Sequence, residues 1–216
     1  SAKWFYAEND GDLVKSEIKT ISSKKYAFNS KGEMLSGVQA LAMSSSTKIV
    51  GNKAIDDADL VDALKAGTLS FEGYNGNTYT IGSDVYVYYF GAGSDGAMKI
   101  GKMQVEIDGD KYNFNFGKSG SKKGVGKTGV EDKKYYNNGK LMAAGKDEKY
   151  QVIMPESATV SGKDTVVGYK KLDDSAKLAE TVSKMDGYKV LTDKDEIIAL
   201  GNLSSLGLTE KKLKDE

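Results

Sequence analysis

An aromatic pair followed by a polar turn and a glycine recurs along this chain, and that recurrence limits the fold more than any other feature. Its clearest copy is Lys24–Val38, KKYAFNSKGEMLSGV. Tyr26 and Phe28 stand at i and i+2, which on a strand places both rings on one face. Asn29-Ser30-Lys31-Gly32 supplies a glycine where a short hairpin loop needs positive φ. A second short strand through Met34 to Gly37 completes the expected hairpin. One hairpin is only marginally stable in water, so the unit requires neighbours.

Those neighbours are present. Trp4-Phe5-Tyr6 runs to Gly11 and Leu13, Tyr88-Tyr89-Phe90 to Gly96 and Met98, Tyr112-Asn113-Phe114 to Gly120 and Gly124, and Tyr135-Tyr136 to Gly139 and Met142. The turn glycines fall about twenty residues apart, with one interruption between Gly32 and Gly96, as expected when one supersecondary unit stacks on the next. An ordinary antiparallel meander, in which aromatics and glycine turns also recur, is the alternative. The expected fold is therefore mainly β: repeated β-hairpins in a solenoid-like or meander sheet, with a short helical insertion and a small α+β C-terminal region.

The unit KKYAFNSKGEMLSGV resembles the cell-wall-binding repeats, of choline-binding and glucan-binding type, on surface proteins and wall hydrolases of Gram-positive bacteria. The resemblance covers about residues 1–41 and 84–150. It implies aromatic cages for a quaternary ammonium, or stacking platforms for sugars, built from successive hairpins. The chain departs from that pattern where each unit closes. Gly37-Val38, Gly101-Lys102 and Gly145-Lys146 stand where the family has Gly-Trp, so the resemblance implies the scaffold more directly than the choline site.

Composition excludes several functions. Lys plus Arg and Asp plus Glu are 31 each, so no bulk field recruits nucleic acid or an acidic membrane surface. The chain has neither cysteine nor histidine, which removes disulfides, thiolate metal sites and the commonest general base. No cofactor and no metal are expected, and no segment has the ligand pattern of an EF-hand loop. No apolar run reaches membrane-spanning length. The opening Ser1-Ala2-Lys3 falls inside a repeat, and the chain is expected to be a mature portion or fragment of an extracellular or wall-associated protein, with further domains of a longer protein possible.

In chain order, aromatic repeats are expected over 1–41, an insertion over 42–83, further hairpin repeats over 84–154, and a small α+β region or cap over 155–216. Within the insertion, Asp56-Asp57 cap a helix over Ala58–Ala66, Leu60, Val61 and Leu64 share a face, and Gly67 stops it. Asn75-Gly76 then turns a compact hairpin. Ser121–Thr128 is similar to a phosphate-binding loop, but it lacks the first glycine and no helix is expected after Thr128, so a solvated lysine-rich turn is the better reading. Past Pro155, strands are expected over Thr165–Lys171 and Tyr188–Leu191, and helices over Asp173–Met185 and Asp193–Leu200.

The acidic residues fall mostly in turns and first helical turns, where solvated and capping carboxylates belong, so no catalytic pair is expected. The expected function is non-catalytic binding of a cell-wall polymer or polysaccharide, with no nucleic acid and no membrane span. The ring candidates are Trp4, Tyr6, Tyr26, Phe28, Tyr88, Phe90, Tyr112, Phe114, Tyr135 and Tyr136. The alternatives are a surface scaffold whose hairpins only stack on each other, or an accessory region of a wall hydrolase. Exposed rings along one face favour binding, and buried rings favour the scaffold. Without the Gly-Trp rings, weak multivalent polysaccharide binding is expected in place of tight choline binding.

Overall fold

Val38–Met43, VQALAM, forms strand β3, and every one of its residues is buried. Only a strand covered on both faces tolerates that pattern. In the computed structural model, which describes residues 2–82, 84–132, 134–142, 153–160, 162–171, 189–193 and 196–201, β3 lies between β4 (Ile49–Ile55) and β7 (Val85–Tyr89), antiparallel to both. Strands from three separate stretches of sequence thus meet in one sheet.

Alternation along the pleat sends its residues to two different cores. Val38, Ala40 and Ala42 join Val85 and Val87 of β7 against Val61, Leu64, Val105, Ile107, Phe114 and Phe116. Leu41 and Met43 join Tyr88 and Phe90 on the other face, against Ile18, Ala27, Leu35 and Ile49. Fully burying a ring such as Phe90 contributes about 2–3 kcal/mol, so each face is held by several such terms. Gln39 is buried among the apolar residues because its amide is satisfied. Its Nε2 donates to the Ser36 carbonyl at 2.7 Å, and its Oε1 accepts from Asn52 Nδ2 at 3.2 Å.

One core is closed by β1 (Glu17–Ile21) and β2 (Lys24–Phe28), an antiparallel hairpin turned at Ser22-Ser23. Both serines have positive φ (47° and 68°), the two-residue turn whose twist suits a hairpin. The expected hairpin over 26–37 is reduced to one bridge, Phe28 to Met34, around a turn in which Asn29 Oδ1 accepts the N–H groups of Lys31 and Glu33. Tyr26 and Phe28 do lie on one strand, but its partner precedes it in sequence.

The other core is closed by helix α1 (Ala58–Ala66), the small hairpin of β5 (Ser70–Glu72) and β6 (Thr78–Thr80), and a five-stranded sheet. The helix has its expected limits: Asp57 accepts the Leu60 N–H at 2.7 Å, and Gly67, left-handed, donates back to Leu64 O. The sheet has the order β10 (Gly129–Glu131), β11 (Lys134–Asn137), β12 (Lys140–Leu141), β9 (Asp110–Phe116), β8 (Gly101–Ile107). Among the described residues, α1 is the one α-helix and no helix is long and apolar enough to cross a membrane.

The chain divides into two compact units, residues 1–143 with 155–169, and residues 144–154 with 170–216. Strands β13 (Ile153–Val160) and β14 (Lys163–Lys171) pair with each other. In the second unit, β15 (Lys189–Asp193) pairs antiparallel with β16 (Glu196–Gly201), which corrects the expected helix over Asp193–Leu200. Ile197 and Ile198 are β-branched, and a partner strand outweighs the weak helical preference of so short a segment. The helix expected over 173–185 lies outside the described residues.

Candidate functional site

Strand β7 carries Tyr86 and Tyr88 toward one face, and Phe90, just past its end, stacks on Tyr88 at 5.8 Å. Its edge away from β3 is met by the 117–128 turn, where the Gly126 N–H donates to the Val87 carbonyl at 2.7 Å. Gly126 has to be glycine, because a Cβ there would stand 2.6 Å from the Asn138 carbonyl oxygen. The turn is internally tied by Lys123 N–H to Gly120 O and Gly124 N–H to Gly117 O. It thereby holds the Lys122 ammonium 4.2 Å from the centre of the Tyr86 ring, within cation–π range.

Three concavities in the first unit are linked by shared lining residues. A cleft of about 450 Å³ is lined by Tyr86, Lys122, Lys127, Glu131, Tyr136 and Asn138 among others. A smaller one of about 230 Å³, which shares Tyr86 and Lys122 with the cleft, is also lined by Ser44, Ser45, Ser46, Asp84, Tyr88 and Ser121. The third, about 280 Å³, shares Tyr136 with the cleft and adds Lys102, Gln104, Asn113 and Lys134. The half-buried Tyr86 and the buried Tyr136 stand at the two junctions. Linked concavities in which tyrosines, amides, hydroxyls and lysines stand among apolar side chains suit an extended ligand with polar groups better than one compact apolar molecule.

The charges are mostly paired within the protein. Lys127 hydrogen-bonds Glu131, and Lys102 pairs with Asp132 while standing 3.5 Å from Glu131. The hydrogen bond from Lys127, reinforced by the Lys127 and Lys102 charges, holds the Glu131 carboxyl below the usual carboxylate range. Asp132 raises Lys102 in the same way. Burial pushes the Tyr88 phenol up to about 12, with Tyr86 adding to the shift. Among the described residues no three acidic side chains come together as a metal site would require.

The ten ring candidates do not share a face. Trp4 and Tyr135 are exposed (57% and 41%), and Tyr6, Tyr26 and Tyr112 are half-buried. Phe28, Tyr88, Phe90, Phe114 and Tyr136 are buried, as the scaffold alternative expects of them. Those rings pack inside the protein: Tyr6 lies 6.5 Å from Phe28, and Phe114 stacks on Phe116 at 5.7 Å. Tyr88, Phe114 and Tyr136 still line the concavities. Tyr86 is not among the ten ring candidates, although Tyr86, Tyr88 and Phe90 recur at i, i+2 and i+4 and so extend the same-face pattern by one position.

Ser121–Thr128, similar to a phosphate loop in sequence, is a turn with one short 3₁₀ segment (Gly120–Lys122) and is followed by strand β10 in place of a helix. The amide nest that such loops need is therefore not built. The segment nonetheless borders the site, through Ser121, Lys122, Lys127 and Thr128. A second lysine–tyrosine contact lies elsewhere, with Lys140 Nζ 5.3 Å from the Tyr112 ring centre. Burial lowers the Lys140 ammonium to about 8, Lys65 adding to the fall and Asp62 opposing it.

No protein family matches the chain, and no curated protein does. Among solved structures it is similar to choline binding protein F from Streptococcus pneumoniae, at 19% identity over 65% of this chain and 44% of that one, with a TM-score of 0.21. The modular autolysin LytC from Streptococcus pneumoniae matches at 18% identity, 79% and 37% coverage and a TM-score of 0.17. CbpJ from Streptococcus pneumoniae TIGR4 matches at 16% identity, 76% and 63% coverage and a TM-score of 0.21. The chain spans less than two thirds of the length of each. TM-scores of this size do not establish a common overall arrangement, and the groove itself carries the functional reading.

Proposed function

We propose that this chain is a non-catalytic module that binds a cell-wall or extracellular polysaccharide, and that it works outside the cell. The observation that carries this reading is three concavities, linked through the shared Tyr86 and Tyr136, that set hydrogen-bonding side chains among apolar and aromatic ones. A sugar ring needs one flat aromatic surface and a few hydrogen-bonding groups, and repeated subsites compensate for weak individual contacts. Choline recognition asks for several aromatic faces around one cation. Among the described residues, the two tyrosine faces in cation contact are occupied by the protein's own Lys122 and Lys140.

Catalysis fits the site poorly. A glycoside hydrolase needs one carboxyl protonated near neutral pH, whereas Glu131 is held ionised by its lysines. The burial of Phe28, Tyr88, Phe90, Phe114 and Tyr136 favours a second reading, a surface scaffold in which most rings serve hairpin stacking. Affinity electrophoresis through gels containing polysaccharide, with choline as competitor, separates the two. Retardation by polysaccharide that choline does not relieve is the expected result. Absence of retardation on every polymer would favour the scaffold.

A further inference from the structure

We propose that the ligand of the groove is anionic, a saccharide or polyol chain bearing phosphate or carboxylate groups; this rests on the polysaccharide-binding reading and names its ligand class. The whole chain is neutral, with 31 basic and 31 acidic residues. Its groove is not. The three concavities are lined by Lys102, Lys122, Lys127 and Lys134 but by only two acids, Asp84 and Glu131. The 117–128 turn beside them carries Lys118, Lys122, Lys123 and Lys127 and no acidic residue.

The lysines differ in what neutralises them. Lys102 and Lys127 are matched to Asp132 and Glu131. Lys122 makes no ion pair among the described residues, and its ammonium is held at the boundary of two concavities by the face of Tyr86 alone. A ring face satisfies a cation only in part, by about 0.5–1 kcal/mol where water still reaches it. An arriving anion therefore finds a positioned cation that need not first give up a carboxylate. The serine hydroxyls of Ser44, Ser45, Ser46 and Ser121 line the smaller concavity beside it and add neutral donors suited to anionic oxygens. Steering by a net positive groove also makes the association depend on salt.

Three polymers test this on the full chain by biolayer interferometry: poly(glycerol phosphate), polygalacturonate and neutral dextran, each at low and at physiological ionic strength. The expected result is binding to at least one anionic polymer about tenfold tighter than to dextran, weakening as salt rises. Which polymer binds identifies the anion. Lys122→Gln and, separately, Lys134→Gln should each weaken anionic binding roughly fivefold, as loss of one partly exposed ion pair does, and leave dextran unchanged. Lys111→Gln, outside the concavities, should have no effect. Dextran binding equal to that of both polyanions, with Lys122→Gln silent, would overturn the anion proposal and leave polysaccharide binding standing. No binding to any of the three, by a variant-free chain with its native circular dichroism, would overturn both.

Discussion

The side chain of Met34 lies against the Cα of Gly96, so closely that a Cβ at Gly96 would collide with it. Met98 stands against Gly124 in the same manner. The backbone repeats the relation: Met34 N–H donates to Trp4 O and Met98 N–H to Lys25 O, both at 2.8 Å, and Trp4 and Lys25 occupy equivalent positions ahead of their turn glycines Gly11 and Gly32. The hairpin units thus stack by one rule across the 42–83 interruption. Gly96 has φ +64°, so Gly96→Ala carries both backbone strain and the clash, and should cost about 1–3 kcal/mol. Met34→Ala should cost about 1–2 kcal/mol for a half-buried side chain. In urea denaturation the double variant should be less destabilised than the sum, because removing Met34 opens the space the new methyl needs. Strict additivity would show that the contact does not set the spacing.

Stability should change with pH in two opposed windows. Lys140 has its folded value lowered to about 8 by burial, below its ordinary 10.5, so the folded state disfavours its charge. Its contribution is present above pH 10.5 and is lost as pH falls through 8, on the order of 2 kcal/mol after screening. Tyr88 is raised to about 12 by burial, so its contribution is intact below pH 10 and is lost as pH rises through 12. Unfolding free energy measured from pH 7 to 12 should therefore climb between 8 and 10 and then fall. Lys140→Met should gain about 1 kcal/mol at pH 7 and nothing near pH 10.5. A variant profile parallel to the parent's throughout would contradict the assignment.

Helix α1 is tied to the five-stranded sheet by Asn137, 3% exposed, whose Nδ2 donates to the Lys65 carbonyl at 2.9 Å in the helix's last turn. Replacing Asn137 with Ala leaves that carbonyl short of a donor and should cost about 1–3 kcal/mol. Asp57→Ala, removing the N-cap, should cost about 1 kcal/mol. Amide hydrogen exchange separates them. Asn137→Ala should speed exchange in both α1 and β11, and Asp57→Ala chiefly in α1.

Binding should depend on Tyr86 more than on the most exposed ring. Tyr86→Ala removes the surface between two concavities and the seat of Lys122, and should weaken polysaccharide binding about tenfold. Trp4→Ala, on a residue that lines none of the three, should change it less than twofold. The reverse order would move the site to the N-terminal hairpin.

Local signals were readable without the fold. Asp57 and Gly67 delimit α1 because an N-cap and a left-handed C-cap act within one turn of chain. Asn75-Gly76 and the i, i+2 aromatics of β9 likewise follow from turn conformation and the pleat. Strand partnership was not readable, because pairing joins residues far apart in sequence and is decided by which faces bury each other. Tyr26 pairs backward to Lys19 through the Ser22-Ser23 turn, and Glu196–Gly201 becomes a strand because Lys189–Asp193 is there to receive it. Burial is tertiary for the same reason: Phe28 and Trp4 begin as equal candidates, and packing hides one and leaves the other in solvent. The groove is the furthest from the sequence of all. Tyr86, Lys122 and Tyr136 become neighbours only when the 117–128 turn docks on the edge of β7, a contact made by Gly126, where no side chain fits.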